Sequence, residues 1–184
     1  IRMAGGRYIA LLDSDDAWEP GKISCQVAFF KNHPDARICQ TEEIWIRKGR
    51  RVNPKVKHKK PSGMIFEPSL HLCLVSPSAV MIRKSLFDDV GFFDENLPAC
   101  EDYDVWLRIA CNTPVCLIET PLILKKGGHE DQLSRQWGLD RYRIASLEKL
   151  MTNPRLDENQ KQAAANMLVK KCRIYAEGSG KRGK

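Results

Sequence analysis

Three aspartates stand close together near the start of the chain, in the stretch LLDSDDAWEP. Asp13, Asp15 and Asp16 follow an apolar run, residues 8–12, which predicts a short buried strand. Like charges this close repel one another, so the arrangement favours a positive partner. Carboxylates spaced D-x-D at the end of a strand suit a hard divalent cation such as Mg²⁺ or Mn²⁺. Because such ions usually complete their shell with water and substrate phosphates, the cluster also predicts a diphosphate ligand.

Other interpretations of these aspartates remain open. They could cap the helix predicted after Pro20 or form an Asx turn. A calcium loop of the EF-hand kind is excluded, because it needs an oxygen ligand and a glycine where the chain has Ala17 and Trp18. A phosphatase of the aspartyl-phosphate type would use Asp13 as nucleophile and Asp15 as acid. It also needs a later acidic pair at a strand end, and the sequence has no convincing one, so it is the weaker alternative.

A second pair of acids, Glu101 and Asp102, stands at the start of a predicted helix in the stretch ACEDYDVWLRIA. Four residues of this helix share one face at positions i, i+3, i+4 and i+7: Asp102, Val105, Trp106 and Ile109. An acid therefore heads an otherwise apolar face. The structural explanation for such a carboxylate is favourable charge at a helix N-terminus, worth about 0.3–1 kcal/mol.

Helical and extended segments alternate along the chain. Helices are predicted over residues 22–32, 66–74, 85–90, 101–110, 138–151 and 157–176. Strands are predicted over residues 8–12, from 37 to a turn at Gly49, over 78–83, and as two short stretches within 114–127. A long loop is expected over 53–63. This alternation predicts an α/β layer fold rather than a sandwich or a helical bundle.

The charge of the chain is unevenly distributed. Thirty lysines and arginines against 23 acids give a formal net charge of +7, which attracts polyanions, nucleotide phosphates or acidic membrane surfaces. Much of the excess lies in residues 47–60, RKGRRVNPKVKHKK, and in the tail GSGKRGK. A solvated, mobile segment is the leading interpretation of the first stretch, because few aromatic residues lie between its lysines and arginines. Specific nucleic-acid binding is therefore not expected.

Length and composition favour one globular domain with a sizeable core, since the 184 residues are 42% hydrophobic. No apolar run approaches the roughly 20 residues that cross a bilayer, and no signal-peptide pattern is present, so a cytoplasmic location is expected. Seven cysteines in irregular spacing, without a CxxC pair, predict reduced thiols rather than a disulfide framework or a zinc ribbon.

Three stretches, taken in order, resemble a known family. They are GGRYIALLDSDDAWEPGKISCQ, SAVMIRKSLFDDVGFFDENLPACEDYDVWLRIA and KKGGHEDQLS, which together span residues 5–134. They look like family 2 glycosyltransferases of the GT-A fold, a mixed α/β sheet flanked by helices. The resemblance implies an inverting hexosyltransferase that uses a nucleotide-diphosphate sugar, with a UDP-sugar favoured. The acceptor would be a hydroxyl of a glycan, lipid or protein, as in cell-surface polysaccharide biosynthesis.

The resemblance also assigns roles to individual residues. Asp102 matches the family's catalytic base, and Glu101 supports it. An inverting transfer needs one carboxylate that takes the proton of the acceptor hydroxyl as it attacks opposite the departing diphosphate. The implied ligands of Mn²⁺ or Mg²⁺ are Asp15, Asp13 and His129. The implied nucleotide-sugar contacts are Asp13, Asp16, Lys125 and Arg135.

Family members begin with a strand, a turn and a helix that form the pocket for the nucleotide base, well before the D-x-D. Because Asp13 is already the thirteenth residue, the resemblance predicts that residues 1–135 are the C-terminal part of a GT-A domain. A helical extension over 136–176 and a flexible tail over 177–184 would follow. The incomplete sheet is expected to expose edges that a homo-oligomer would cover, with reduced or no activity of the chain alone. The alternative is a non-catalytic remnant or oligomeric binding module, and the basic charge also allows peripheral attachment to the inner face of a membrane.

Overall fold

The computed structural model describes residues 1–128 and 136–181, and the chain forms two compact units. The first unit consists of Ile1–Ile65, Leu74–Phe92 and Thr113–Gln132. The second consists of Phe66–Cys73, Phe93–Asn112 and Leu133–Lys184. In the second unit, two earlier segments of the chain pack with the C-terminal helices.

The first unit carries every strand of the described residues, together with two helices. Its strands are β1 Tyr8–Ala10, β2 Ala17–Trp18, β3 Ile38–Arg47, β4 Arg50–Val52, β5 Val80–Arg83 and β6 Cys116–Gly127. Its helices are α1 Lys22–Asn32 and α3 Leu86–Val90, with short 3₁₀ turns at Val56–His58 and Pro77–Ala79. The second unit contains α2 Phe66–His71, α4 Glu101–Ala110, α5 Asp140–Met151 and α6 Glu158–Gly180. The α/β class predicted from the sequence is confirmed.

The six strands form one mixed sheet in the order β1-β5-β3-β6-β2, and β4 pairs with the far end of β3. Only β3 and β6 run parallel, while the other pairs are antiparallel. The central strand β3 begins with the fully buried Ile38 and Cys39, which fits a position covered on both faces. The predicted mixed sheet is therefore confirmed.

Aromatic packing holds α1 against the sheet. Phe30 of α1 is 1% exposed and stacks on Tyr8 of β1, with ring centroids 4.8 Å apart. Cys39 and Met81 complete this cluster from β3 and β5. The helix also buries Gln26, whose side-chain amide donates to the Ala79 carbonyl over 3.0 Å. These contacts fix α1 on the sheet, and only β2 and a short turn separate the helix from the three aspartates.

Three strands differ from their predicted bounds. One is β5, which begins at Val80 instead of residue 78, because Pro77–Ala79 form a 3₁₀ turn. β1 ends at Ala10, because the Asp13 amide donates to the Ser78 hydroxyl instead of continuing the hydrogen bonds between strands. Leu12, just beyond the end of β1, is 48% exposed. The two strands predicted within 114–127 are one strand, β6. Pro121 has no N–H to donate, and the pairing of β3 with β6 shifts register on both sides of Glu42, opposite that proline. The irregularity lets one strand continue past the proline.

The second unit is a helical cluster around buried aromatic and aliphatic side chains. The Tyr103 hydroxyl of α4 donates to the Leu70 carbonyl of α2 over 2.8 Å, and Leu147 of α5 is fully buried. Asp157 starts α6 with a capping box that involves Gln160. α6 extends to Gly180, beyond the predicted end at residue 176. Among the described residues, no helix has the length and apolar character needed to cross a membrane.

Candidate active site

Residues 13–16, which we call the acidic loop, are fixed to the sheet by one buried serine. The Asp13 amide donates to the Ser78 hydroxyl over 3.1 Å, and that hydroxyl donates to Asp16 Oδ2 over 2.7 Å. The Ser78 carbonyl accepts a hydrogen bond from the Trp18 indole over 2.9 Å. Ser78 is fully buried in the 3₁₀ turn Pro77–Ala79, which leads directly into β5. The serine therefore holds both ends of the acidic loop.

A second contact ties the acidic loop to β6. The Lys126 amide donates to Asp16 Oδ1 over 3.0 Å, so both carboxylate oxygens of Asp16 accept hydrogen bonds. Within the turn, the Asp16 amide donates to the Asp13 carbonyl over 3.1 Å. The N-cap of α1 is Gly21, without a side-chain cap, so the alternative in which the aspartates cap this helix is wrong.

The electrostatics of the acidic loop favour a cation. Burial raises the pKa of Asp13, and the carboxylates of Asp16 and Asp15 raise it further, while the Lys125 ammonium opposes them. Burial also raises the pKa of Asp16, against the hydrogen bond from Ser78 and the charge of Lys125. The ionised form of both carboxylates is thus disfavoured, and a further positive partner would stabilise it.

The donor set tests whether a metal ion fits here. In the part of the chain that the structure describes, no three His, Cys, Asp or Glu side chains are grouped to hold an ion. The acidic loop therefore does not form a closed protein cage. Mg²⁺ commonly takes only one or two carboxylates and completes its shell with water and phosphate oxygens. The carboxylates of the acidic loop fit that kind of shared site.

Lys125 lies on β6 beside a buried ionic network. Its ammonium donates to the Ser76 hydroxyl over 2.9 Å and is 3.9 Å from Glu43 Oε1. Glu43 is 3% exposed and pairs with the buried Lys60 over 2.9 Å. The Trp45 indole donates to the other oxygen of Glu43 over 3.0 Å. Lys125 thus keeps its position through the network while its side chain remains 29% exposed.

Breaking the Glu43 and Lys60 pair should destabilise the first unit strongly. Burial disfavours the charged Glu43, but Lys60 and Lys125 outweigh it and lower its pKa. The pair therefore stabilises the fold above the ordinary carboxyl pKa, and this stability is lost as pH falls through the lowered pKa. We expect Glu43→Gln to reduce the free energy of unfolding by about 3 kcal/mol at pH 7, measured by urea denaturation. Glu119→Gln, at an exposed position of β6, is the control, and equal urea midpoints for the two variants would contradict the network.

Ser78 also allows a specific prediction. Ser78→Ala should weaken Mn²⁺ binding by the roughly 10–100-fold typical of losing a partner that orients metal ligands. The measurement is Mn²⁺ affinity in the presence of a nucleoside diphosphate. Ser62→Ala is the matched control, because the Ser62 hydroxyl also makes two hydrogen bonds: it donates to the Val115 carbonyl and accepts from the Leu117 amide. Equal Mn²⁺ affinity in both variants would mean that Ser78 only supports the fold.

In the second unit, Asp102 occupies the first turn of α4. Its Oδ1 accepts a hydrogen bond from the Tyr103 amide over 2.7 Å, and its Oδ2 accepts one from the Cys73 thiol over 3.2 Å. The predicted apolar face is confirmed, because Val105, Trp106 and Ile109 are all buried. Two donors thus orient the Asp102 carboxylate, which stays partly exposed at the head of that face.

The neighbouring acids of α4 have different surroundings. Asp104 is 2% exposed and accepts from Arg108 over 2.7 Å and from Lys149 over 3.3 Å, so it joins α4 to α5. Glu101 is partly exposed beside Asp102. Of these three acids, Asp104 has an evident structural role, whereas the partly exposed Glu101 and Asp102 remain the candidates for the functional site.

Some predicted site residues cannot be placed. His129 and Arg135 lie outside the described residues. The acidic loop and Lys125 belong to the first unit, whereas Asp102 and Glu101 belong to the second.

The sequence analysis missed three residues of the site: Ser78, Glu43 and Lys60. Ser78 is a single serine before a strand, Glu43 lies within β3, and Lys60 lies in a basic stretch. None of these positions has a distinctive local signal.

Comparison with known proteins points to one family. Residues 1–91 match the sequence model of glycosyl transferase family 2. This part of the chain has the sequence pattern of glycosyl transferase family 2. The match includes the acidic loop and Ser78, and the recognition made from the three motifs is confirmed.

Relatives described as uncharacterized glycosyltransferases match over most of the chain. An uncharacterized glycosyltransferase of Rickettsia felis is 26% identical over 145 residues, which are 74% of this chain and 23% of that protein. The uncharacterized glycosyltransferase YwdF of Bacillus subtilis is 24% identical over 188 residues, 91% of this chain and 68% of that protein. The chain thus spans about a quarter of the Rickettsia protein's length.

The fold also matches solved structures. A crystal structure of S. aureus TarS 1-349 in complex with UDP-GlcNAc superimposes with a TM-score of 0.67 at 17% identity. The match covers 91% of this chain and 49% of that one. A second structure of the same protein in complex with UDP has a TM-score of 0.62 at 18% identity. The predicted GT-A fold is therefore confirmed, and the chain spans about half of these neighbours.

Proposed function

We propose that the chain carries the metal and base sites of an inverting, divalent-metal-dependent hexosyltransferase. The donor is a nucleoside diphosphate sugar, with a UDP-sugar favoured, and the acceptor is a hydroxyl of a glycan, lipid or protein. The observation that carries this proposal is the acidic loop, held by Ser78 and Lys126 so that partly buried carboxylates with raised pKa lie near Lys125. The family match and the UDP-GlcNAc complex of the neighbour TarS support the choice of donor.

The donor side of the reaction belongs to the first unit. Asp15 and Asp13 are the residues that would hold Mn²⁺ or Mg²⁺, with His129 as a further proposed ligand outside the described residues. The ion would offset the negative charge that develops on the leaving diphosphate. Asp16 orients the acidic loop through its two accepted hydrogen bonds. Lys125 supplies a fixed positive charge to the diphosphate, and Arg135 is proposed to add another.

The acceptor side belongs to Asp102. The acceptor oxygen attacks the anomeric carbon opposite the diphosphate, the bond from that carbon to the diphosphate oxygen breaks, and the acceptor proton moves to the Asp102 carboxylate. The Cys73 thiol and the Tyr103 amide hold this carboxylate in one orientation. Glu101 is proposed to support the base or the acceptor. Because attack and departure occur on opposite faces of the sugar, the anomeric configuration inverts.

A transfer assay tests this proposal directly. The full gene product that contains this chain is incubated with UDP-GlcNAc and Mn²⁺, and the sugar released to water is followed by proton NMR. An α-linked donor should give the β anomer first, and omission of Mn²⁺ should abolish release. Initial formation of the α anomer would contradict inversion. No Mn²⁺-dependent turnover of UDP-GlcNAc, UDP-glucose or UDP-galactose would contradict a UDP-hexose donor.

A further inference from the structure

Residues 47–60 concentrate the positive charge of the chain on one segment. This segment holds eight of the 30 lysines and arginines and none of the 23 acids, so the remaining residues are close to neutral. Seven of the eight cations are exposed: Arg47, Lys48, Arg50, Arg51, Lys55, Lys57 and Lys59. We call these seven side chains the basic platform. The eighth, Lys60, is the buried partner of Glu43.

The segment packs against the sheet at several points. Arg47 and Arg50 lie opposite each other in the hairpin of β3 and β4. The His58 ring lies 5.0 Å from the Trp45 ring, which brings the 3₁₀ turn Val56–His58 back onto β3. Lys60 ends the segment by donating to the Thr41 carbonyl over 2.8 Å. The exposed cations are thus presented by a hairpin and a turn with defined contacts.

The basic platform and the acidic loop lie at the same end of the sheet within the first unit. Ile46, next to Arg47, is the register partner of Lys126 in β6. The amide of Lys126 is the group that bonds Asp16. A surface that binds the basic platform would therefore lie near the end of the sheet that carries the acidic loop.

We infer that the basic platform docks the protein on an anionic lipid surface. Val56 is 90% exposed between Lys55 and Lys57, which is the arrangement of an apolar tip flanked by cations at a membrane interface. Nucleic acid fits less well, because the only aromatic ring within 47–60 is that of His58, which packs against Trp45. This inference is independent of the proposed chemistry.

Vesicle sedimentation tests the docking surface. The 184-residue chain is mixed with vesicles of phosphatidylcholine alone or with 30% phosphatidylglycerol, at about 50 and 300 mM salt. We expect binding only to the anionic vesicles, with weaker binding at high salt. Each lost cation should weaken partitioning roughly five-fold, so Lys55→Gln with Lys57→Gln should weaken it roughly 25-fold. Val56→Ser should also weaken binding, without a change in charge.

The matched control removes the same charge from α6. Lys170→Gln with Arg173→Gln changes two exposed cations of the second unit and should leave vesicle binding unchanged. Equal losses in the two double variants would overturn the basic platform as the docking surface. Equal binding to both vesicle types would overturn an electrostatic mechanism. Tighter binding to a single-stranded oligonucleotide of matched charge than to anionic vesicles would overturn the assignment to lipid.

Discussion

Replacing Asp102 with asparagine is expected to reduce kcat for sugar transfer by about 10²–10⁴-fold, the usual contribution of a general base. The amide keeps the size of the carboxylate but cannot take the proton of the acceptor hydroxyl. Donor affinity should stay the same, since the proposed donor contacts belong to other residues. The measurement is transfer from UDP-GlcNAc together with calorimetric binding of UDP to the full gene product.

Glu95→Gln is the control for this experiment, because Glu95 is an exposed acid of the same unit. It should leave both kcat and UDP affinity unchanged. Near-normal turnover of Asp102→Asn would show that another group accepts the proton. A parallel loss of kcat and UDP affinity would instead indicate that Asp102 belongs to the donor site or to the fold.

Asp15→Asn is expected to have the second large effect, on the divalent-ion requirement. Asp15 is exposed in the acidic loop, where the proposed ion joins the protein to the diphosphate. Losing a direct ligand should raise the Mn²⁺ concentration for half-maximal transfer by at least the roughly 10–100-fold that loss of an orienting partner costs. The measurement is transfer rate against Mn²⁺ concentration at a fixed level of UDP-GlcNAc.

The control for Asp15→Asn is Asp88→Asn, which neutralises an exposed acid of α3 in the same unit. Asp88→Asn should show the normal Mn²⁺ requirement. If Asp15→Asn also has the normal requirement, Asp15 does not hold the ion. A lower rate that added Mn²⁺ does not restore would point to a role in orienting the sugar.

The features that were predicted best from the sequence are those that depend on neighbouring residues. The bounds of α1 agree with the structure, because Pro20 and Gly21 precede the helix and His33 and Pro34 end it. The helix that carries Asp102 was also predicted, since its apolar residues repeat with helical spacing. These signals are local, so a single sequence contains them.

Contacts between distant residues could not be predicted. Ser78 and Asp16 are 62 positions apart, and Lys126 and Asp16 are 110 apart, yet together they fix the acidic loop. The pairing of Glu43 with Lys60 is equally hidden, because Lys60 sits in a run of cations in which its neighbour Lys59 is exposed. These contacts exist because the sheet order brings the strands together, and that order is a property of the whole chain.

The interpretation of the acidic loop changed in one respect. The resemblance assigned Asp16 to nucleotide-sugar binding, whereas in the structure both carboxylate oxygens of Asp16 accept hydrogen bonds from Ser78 and Lys126. The three aspartates therefore have different roles. Asp16 orients the loop, while Asp13 and Asp15 are the better candidates for the ion.

The most direct test of the proposed donor site is calorimetric titration of the full gene product with UDP, GDP and TDP, each with and without Mn²⁺. We predict that UDP binds most tightly and that Mn²⁺ strengthens its binding at least ten-fold, because the ion would join the acidic loop to the diphosphate. Binding of UDP with the same affinity in both conditions, or no binding of any of the three nucleotides, would contradict a metal-dependent nucleotide-sugar site.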